Sequence, residues 1–285
     1  AHTPSPSLAP LDYDKTDPDS VLHFSPQLFL KRSLPNLVGL HVTQKTRDSD
    51  LKALLSRLWP RECDAELIRV GGPGDGGYLM PNLLSEIKIC ISPGIGSTSE
   101  FEKQLAAYYN IKSILIDPNR YPVGLQDDEY THLQKFVGIK NDPKYISLNQ
   151  LTKNYIKGHQ SAILQMDIEG AEYLNLLDAQ LDSLQRFRIL VVEFHNVHHW
   201  LSKPFFDCTV KPLFDKLLNI FFVVHVHANN FGFYVHVGHH RLSNTLEVTF
   251  LNRKSSCEGK LVDQLPHRLD SRNSSAKPDI PFPRV

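Results

Sequence analysis

Apolar and polar positions alternate in blocks along this chain, and the blocks predict helices and strands in turn. Leu51, Leu54, Leu55 and Leu58 recur at helical spacing and Pro60 stops the run, which predicts a helix over 50–59. Residues 67–70 read as a short strand. Ile87, Ile89 and Ile91 are β-branched and bounded by Pro93 and Gly94, as in a buried strand that ends in a sharp turn. Residues 99–110 hold good helix formers, with Ser99 at the capping position and Glu100 and Glu102 in the first turn. Residues 114–116 then form a second strand ending on Asp117. A third strand is expected over 133–139, a polar helix over 147–155, and a buried strand over 162–166. That strand enters a helix through an acidic turn holding Asp167, Glu169 and Glu172. Residues 188–193 predict a fifth strand, 211–218 a helix and 221–227 a further strand. Residues 233–237 and 245–250 alternate like an antiparallel hairpin.

Strands that alternate with helices and then finish antiparallel predict an α/β fold, a doubly wound and mostly parallel sheet with a C-terminal hairpin. Residues 1–60 read as an N-terminal stem or wrapping extension with one helix, 61–252 as the main domain, and 253–285 as a polar tail that wraps the surface or is mobile. Within the stem, short apolar islands stand at 21–24 and 28–30. The glycine-rich stretch 71–77 suits a hairpin or a backbone lip over a ligand, to which Asp75 and Tyr78 add a carboxylate and an aromatic hydroxyl.

Composition narrows the classes. A chain of 285 residues, 41% hydrophobic, can bury a sizeable core and suits one large α/β domain with extensions. Lys+Arg and Asp+Glu both number 31, so no basic field argues for a nucleic-acid partner. The longest apolar runs, such as 220–224, are too short to cross a bilayer, so no membrane span is expected. The chain starts at Ala1 rather than Met, as after loss of a leader or N-terminal anchor. Cys63, Cys90, Cys208 and Cys257 form no CxxC pair, which argues against a zinc knuckle and leaves two disulfides or four thiols open. Asn273-Ser274-Ser275 is a glycosylation sequon. With the stem, these features lean toward the secretory pathway and the Golgi lumen, the cytoplasm being the alternative.

The chemistry gathers at strand ends. Gly94 and Gly96 let the backbone turn tightly and approach a ligand, because neither carries a Cβ. In a β-turn-α-β unit a nucleotide-like cofactor lies over the strand ends, and an acidic residue about 20 positions on binds its ribose. Asp117 stands at about that distance from Gly96. The alternative is a βαβ unit with no ligand. Glu193 and His195 share one side of an extended chain, as do His225 and His227.

Asp75-Gly76-Gly77-Tyr78, then Pro93-Gly94-Ile95-Gly96 with Phe101-Glu102, then Asp117, the acidic turn 167–172 and Val192-Glu193-Phe194-His195 come in the order seen in FkbM-like methyltransferases. Over about residues 65–250 the chain resembles that family. The resemblance implies a Rossmann-like class I methyltransferase that uses S-adenosylmethionine and acts on a hydroxyl oxygen of a sugar, a glycan or a related small molecule. By the same resemblance Asp75, Gly77, Tyr78, Pro93, Gly94, Ile95 and Gly96 would line the cofactor, Asp117 hold its ribose, and Asp167 sit at the methyl-transfer end. Relatives often carry an acidic residue just after the glycines, where this chain has Ser97-Thr98-Ser99, so the contact to the cofactor's amino-acid part is left open.

Methyl transfer is an in-line displacement, so the protein aligns the reactants and removes a proton. A neutral sugar hydroxyl is a poor nucleophile and needs a general base or a metal ion. His195 is the candidate base, because imidazole titrates near neutral pH, with Glu193 to orient it and Asp167 beside it. The alternative is Mg²⁺ or Mn²⁺ held by Asp167, Glu193, His227 and Asn229, whose donor types suit those ions. His225 and His236 are assigned to core or surface. Two other classes stay open. A nicotinamide-dependent oxidoreductase would also use the glycine turn and Asp117 but wants a third glycine where Ser99 stands. A non-catalytic binding module on the same fold is the other.

Overall fold

The apolar runs become strands β1 (Leu67–Val70), β2 (Tyr78–Pro81), β3 (Ile89–Pro93), β4 (Lys112–Ile116), β5 (Tyr130–Leu133), β6 (Phe136–Val137) and β7 (Tyr145–Ile146). They continue as β8 (Ala162–Met166), β9 (Phe187–Phe194), β10 (Phe221–Ala228), β11 (Tyr234–Val237), β12 (His240–Ser243) and β13 (Leu246–Asn252). Seven strands make one sheet in the order β10-β13-β9-β8-β3-β4-β5, in which only β13 runs antiparallel to its neighbours. The chain leaves β3 in one direction through β4 and β5 and returns on the other side through β8 and β9. The order therefore reverses between β3 and β8, and in open α/β sheets the crevice beyond the strand ends at such a point is where ligands bind. The computed structural model describes residues 43–96 and 98–285, and Lys45–Val285 form one compact unit. The sequence islands at 21–24 and 28–30 lie outside the described residues.

The two faces of the sheet differ. One is apolar to its end: Leu164, Met166, Leu190, Val192, Phe194, Val248 and Phe250 pack under the helices in the larger core cluster. Helix Lys211–Ile220 adds Leu213, Phe214 and Leu217, and helix Asp48–Leu58 adds the four leucines of its buried stripe. The other face begins apolar with Cys90, Ile163, Ile189, Val191 and Leu251, packed under the β1–β2 hairpin and helix Glu100–Tyr109. Two residues further along β3, β8 and β9 it turns polar, at Ser92, Gln165 and Glu193, and antiparallel β13 adds Thr249 and then Glu247. The polar end of that face is the carboxyl-terminal edge.

Some elements differ from expectation. The hairpin of 233–237 with 245–250 does not form: β11 pairs with β12, and β13 inserts between β9 and β10. All seven residues of β13 are buried, and a strand covered on both faces satisfies its backbone best with a partner on each edge. The third strand comes earlier than 133–139. β5 is the edge of the sheet and half-buried throughout, so its Tyr-Thr-His-Leu lacks the apolar run of an interior strand. Residues 136–137 instead pair with 145–146 in a separate ladder. Ser99 precedes helix Glu100–Tyr109 in the left-handed region at φ 50°, and its hydroxyl accepts the Val123 N–H rather than capping the helix. The glycine-rich stretch 71–77 is the turn of the β1–β2 hairpin.

The tail after β13 wraps the unit. Leu261 bridges to Arg61, and Phe282 is buried beside Trp59 with ring centroids 6.2 Å apart. All four cysteines are free thiols. Among the described residues no helix is long and apolar enough to cross a membrane.

Candidate active site

The crevice beyond β3 and β8 is closed on its inner side by backbone. Asp167 N–H donates to Pro93 O (3.1 Å), and Gly94 N–H to Ile116 O (3.0 Å). Gly94 has φ +89°, and a Cβ there would stand 1.7 Å from Asp167 O, so only glycine fits between the two strand ends. A Cβ on Gly96 would meet nothing within 4 Å, which leaves the outer side of the turn open to a ligand. Asp117, one residue past β4, braces the turn. Its Oδ1 accepts from Asn119 N (2.7 Å) and Arg120 N (2.8 Å), its Oδ2 accepts from Ile95 N (3.3 Å), and Arg120 returns a bond to Ile95 O (3.2 Å). These bonds use three acceptor positions of a carboxylate that offers about four, so a ribose hydroxyl can be added.

A polar ridge crosses the sheet beneath the β1–β2 hairpin. Ser92 Oγ lies 2.5 Å from Glu102 Oε1 and 2.7 Å from Gln165 Oε1. Burial raises the pKa of Glu102, which favours its protonated form beside the Ser92 hydroxyl. Gln165 Nε2 approaches Tyr78 OH (3.5 Å), and Tyr78 OH donates to Glu193 Oε2 (3.2 Å). Asn229 Nδ2 bridges Glu193 Oε1 (3.0 Å) and Glu247 Oε1 (3.4 Å). His227 Nδ1 then bonds Glu247 Oε2 at 3.1 Å.

His195 stands at the open end of this ridge, just after β9. Its Nδ1–H donates to Glu172 Oε1 (3.0 Å), and that oxygen also accepts from Ile168 N and Gly170 N, each at 3.1 Å. The backbone carbonyl of His195 accepts from Tyr173 OH (2.9 Å), which in turn accepts from Trp200 Nε1 (2.9 Å). The ring is thus held at Nδ1 and the residue at its backbone carbonyl. Its Nε2 faces Glu169 Oε2 at 3.6 Å, Glu193 Oε1 at 3.7 Å and Asp167 Oδ1 at 3.8 Å, all beyond hydrogen-bond length. The turn that delivers these carboxylates is left-handed at Glu169 (φ 56°) and Gly170 (φ 107°), and Asn196 after the histidine is left-handed too. Such non-glycine conformations cluster at functional sites.

The electrostatics follow from crowding acids out of water. Burial pushes the Asp167 carboxyl up to about 7, with Glu169, Glu172 and Asp75 adding to the rise and His195 opposing it. Burial also raises Glu193 well above the usual carboxylate range, and Glu247 and Asp167 raise it further. For His195, burial favours the neutral ring, but the bond to Glu172 and the charges of Glu172, Asp167 and Glu169 outweigh it and lift its pKa.

Other residues expected at the site are placed as follows. Gly77 is required by its own hairpin: a Cβ there would lie 2.1 Å from Gly72 O and 2.7 Å from the Arg69 guanidinium. Tyr78 is buried beside Glu193 with its ring edge-on to Phe101. Asp75 is exposed and lies with Glu193 and Glu247 rather than at the turn. Glu193 does not orient His195; Glu172 does. Nor do His227 and Asn229 meet Asp167, since they are held on Glu247 and Glu193, and the third group converging with Asp167 and Glu193 is His195. His225 is buried and paired with Asp270 (2.9 Å).

Three contributors were missed. Glu172 lay in the acidic turn already singled out, and Glu247 is a lone carboxylate in an apolar strand, where a buried charge demands partners. Asn273, from the C-terminal tail, donates Nδ2 to Glu247 Oε1 (2.7 Å) and Asp75 Oδ1 (3.2 Å). That is the sequon nitrogen, so in this fold it is committed within the protein rather than offered to a glycan. A larger hollow of about 730 Å³ lies near the amino-terminal ends of β8 and β9, among Ser147, Lys157 and Arg186, and includes none of these groups.

Residues 87–233, more than half of the chain, match the family model described as the methyltransferase FkbM domain. The chain belongs to the FkbM methyltransferase domain family. This methyltransferase shows the class I strand order, with one antiparallel strand between β9 and β10. Among solved structures it is similar to a variant of the 16S rRNA (adenine(1408)-N(1))-methyltransferase from Catenulisporales acidiphilia, at 13% identity and a TM-score of 0.29, over 65% of this chain and 97% of that one. It is also similar to the antibiotic-resistance methyltransferase Kmr, at 12% identity and a TM-score of 0.30, over 66% of this chain and 100% of that one. At those scores neither likeness carries weight for fold or substrate here. No curated protein matches the chain.

Proposed function

We propose that this methyltransferase moves a methyl group from S-adenosylmethionine to a hydroxyl oxygen of a sugar or glycan, with His195 as the base. The carrying observation is the His195 side chain, fixed through Nδ1 by buried Glu172 and turned through Nε2 toward Asp167 at the switch-point crevice. S-adenosylmethionine supplies, when bound, an electrophilic methyl on a sulfonium sulfur. The open side of Gly96 and the spare acceptor capacity of Asp117 suit its adenosine part.

The support for a hydroxyl acceptor is chemical. An amine is nucleophilic once neutral, and a thiol ionises near pH 8.5, but an alcohol needs its proton taken as it reacts. His195 is a stronger base than a free imidazole because Glu172, Asp167 and Glu169 favour its protonated form. Its Nε2 takes the hydroxyl proton, and Glu172 stabilises the imidazolium that results. Asp167, beside Nε2, orients the acceptor hydroxyl and adds to the negative field that draws the proton.

A second reading rests on one distance set. The donor atoms of Asp167, Glu193 and His195 all lie within 4.8 Å of one another, and imidazole with two carboxylates suits Mn²⁺ or Mg²⁺. Glu172 on Nδ1 is the outer carboxylate expected of a ligating histidine. An ion held there would lower the pKa of the acceptor hydroxyl.

The test is calorimetric titration with S-adenosylhomocysteine and with NADH, in EDTA and then in Mn²⁺, followed by turnover on glycan acceptors. S-adenosylhomocysteine binding and turnover in EDTA are expected, with no NADH binding. Turnover that appears only with Mn²⁺ would replace the base by the metal. Absence of S-adenosylhomocysteine binding under every condition would overturn the reading, and tight binding with no acceptor methylated would leave a binding module.

A further inference from the structure

The C-terminal strap forms a cavity of about 460 Å³ against the outer strand β10, and one wall of it is His227. The strap is held rather than draped. Asp270 accepts from His225 on β10 (2.9 Å) and from its own His267 N–H (2.7 Å). Asn230 accepts from Ser274 N (2.8 Å) and donates to Ser274 O (2.9 Å) and Lys277 O (3.0 Å). Between these anchors Asn273 reaches into the site, and its Oδ1 is buried with no partner. The cavity is therefore linked to the polar ridge of the site through its wall residue His227, which bonds Glu247, while Asn273, next in sequence to the lining residue Arg272, reaches Glu247 and Asp75.

Its lining is chemically mixed. His227 and His267 each commit Nδ1 within the protein, leaving Nε2 without a partner among the described residues. Arg272 binds Asp279 through Nε (3.1 Å), and both line the cavity together with Ser275. Asp270 and Asp279 against Arg272 and two imidazoles leave no strong excess of either sign, which disfavours an ionic ligand. Ile280 and Phe282 supply an apolar wall. Donors, acceptors and one apolar side, in a volume within the ligand range of about 300–1,000 Å³, suit a neutral ring bearing several hydroxyls.

We infer that the strap cavity is a second sugar subsite, which binds the residue next to the one methylated and so makes an oligosaccharide the preferred acceptor. This rests on the proposed glycan methylation and extends it. It also gives the tail, which lies outside the matched residues 87–233, a function in acceptor choice. Asn273 is a positioning residue between the subsites: it holds Glu247 and Asp75 through Nδ2.

The experiment compares turnover on trisaccharides of galactose, mannose and glucose with turnover on the matching methyl glycosides, after S-adenosylhomocysteine affinity has been measured by calorimetry. Arg272→Ala removes the guanidinium, and Ser275→Trp fills the cavity from its exposed rim. A trisaccharide is expected to exceed its methyl glycoside in kcat/KM. Loss of one charge-assisted hydrogen bond should cut that preference about tenfold in Arg272→Ala, and filling of the cavity should abolish it in Ser275→Trp, both with S-adenosylhomocysteine affinity as in the parent chain. The subsite is overturned if no trisaccharide is preferred, if the preference survives both variants, or if no sugar is methylated by protein that binds S-adenosylhomocysteine. A chain that does not bind S-adenosylhomocysteine at all brings down the methyl-transfer reading first, and the subsite with it.

Discussion

Two buried histidine–carboxylate pairs, His195–Glu172 and His225–Asp270, do different work. Both are short, at 3.0 and 2.9 Å, and both carboxylates are nearly or wholly out of solvent. His225 is 4% exposed and ties the strap to β10, a structural clamp. His195 is 16% exposed, and its second nitrogen looks onto three carboxylates that do not bond it. What a histidine does is set by what the second ring nitrogen meets.

The sharpest way to separate the two pairs is to remove one member of each. His195→Ala is expected to lower kcat about 10²–10⁴-fold, the usual worth of a positioned base, with S-adenosylhomocysteine affinity unchanged by calorimetry; an unchanged kcat would falsify the assignment. Asp270→Ala should act on stability. Stranding a buried partner costs about 3–5 kcal/mol, to be measured by denaturant unfolding. Because Asp270 is held below its ordinary pKa by His225 and His227 despite burial, its contribution is present above the carboxylate range and is lost as pH falls through the folded value.

Glu172→Gln probes the orientation of the base. The charge that lifts His195 is removed, so the alkaline rise of kcat with pH, set in the parent above ~6.5, should move to lower pH as the maximum falls. A profile that stays in place would mean that Glu172 only packs. The smallest effect is expected at Asp167→Asn. A carboxyl raised to about 7 in the fold takes up protons that the unfolded chain releases, so the parent loses stability as pH rises from its ordinary value through about 7. The amide escapes that loss. Its melting temperature at pH 8 should exceed the parent's by ~2–4 °C for each kcal/mol relieved, while activity falls.

Much of this site was readable one strand at a time. The glycine turn, Asp117, the acidic turn 167–172 and the Glu193–His195 pair each stand at the end of a buried apolar run, where a chain of this class keeps its functional groups. Pairings between strands were not readable. Glu193 is close to His195 in sequence and Glu172 is not, yet the turn that is left-handed at Glu169 and Gly170 brings Glu172 to Nδ1. His227 was a candidate ligand because of its donor type, yet the register of β13 sets it opposite Glu247. β13 itself was misassigned to a hairpin because alternation shows that a segment is a strand without showing which strands flank it.

Local physics thus determined what each segment is. Periodicity, β-branching and glycine placement set the helices, the interior strands and the turn at Gly94, because those preferences act over a few neighbouring residues. The tertiary structure decided which segments meet. It put β13 between β9 and β10, gave His195 to Glu172 and His225 to Asp270, and carried Asn273 from the far end of the chain to Glu247. Those contacts depend on sheet register and on where buried charge finds a partner. Both are settled only when distant segments pack together.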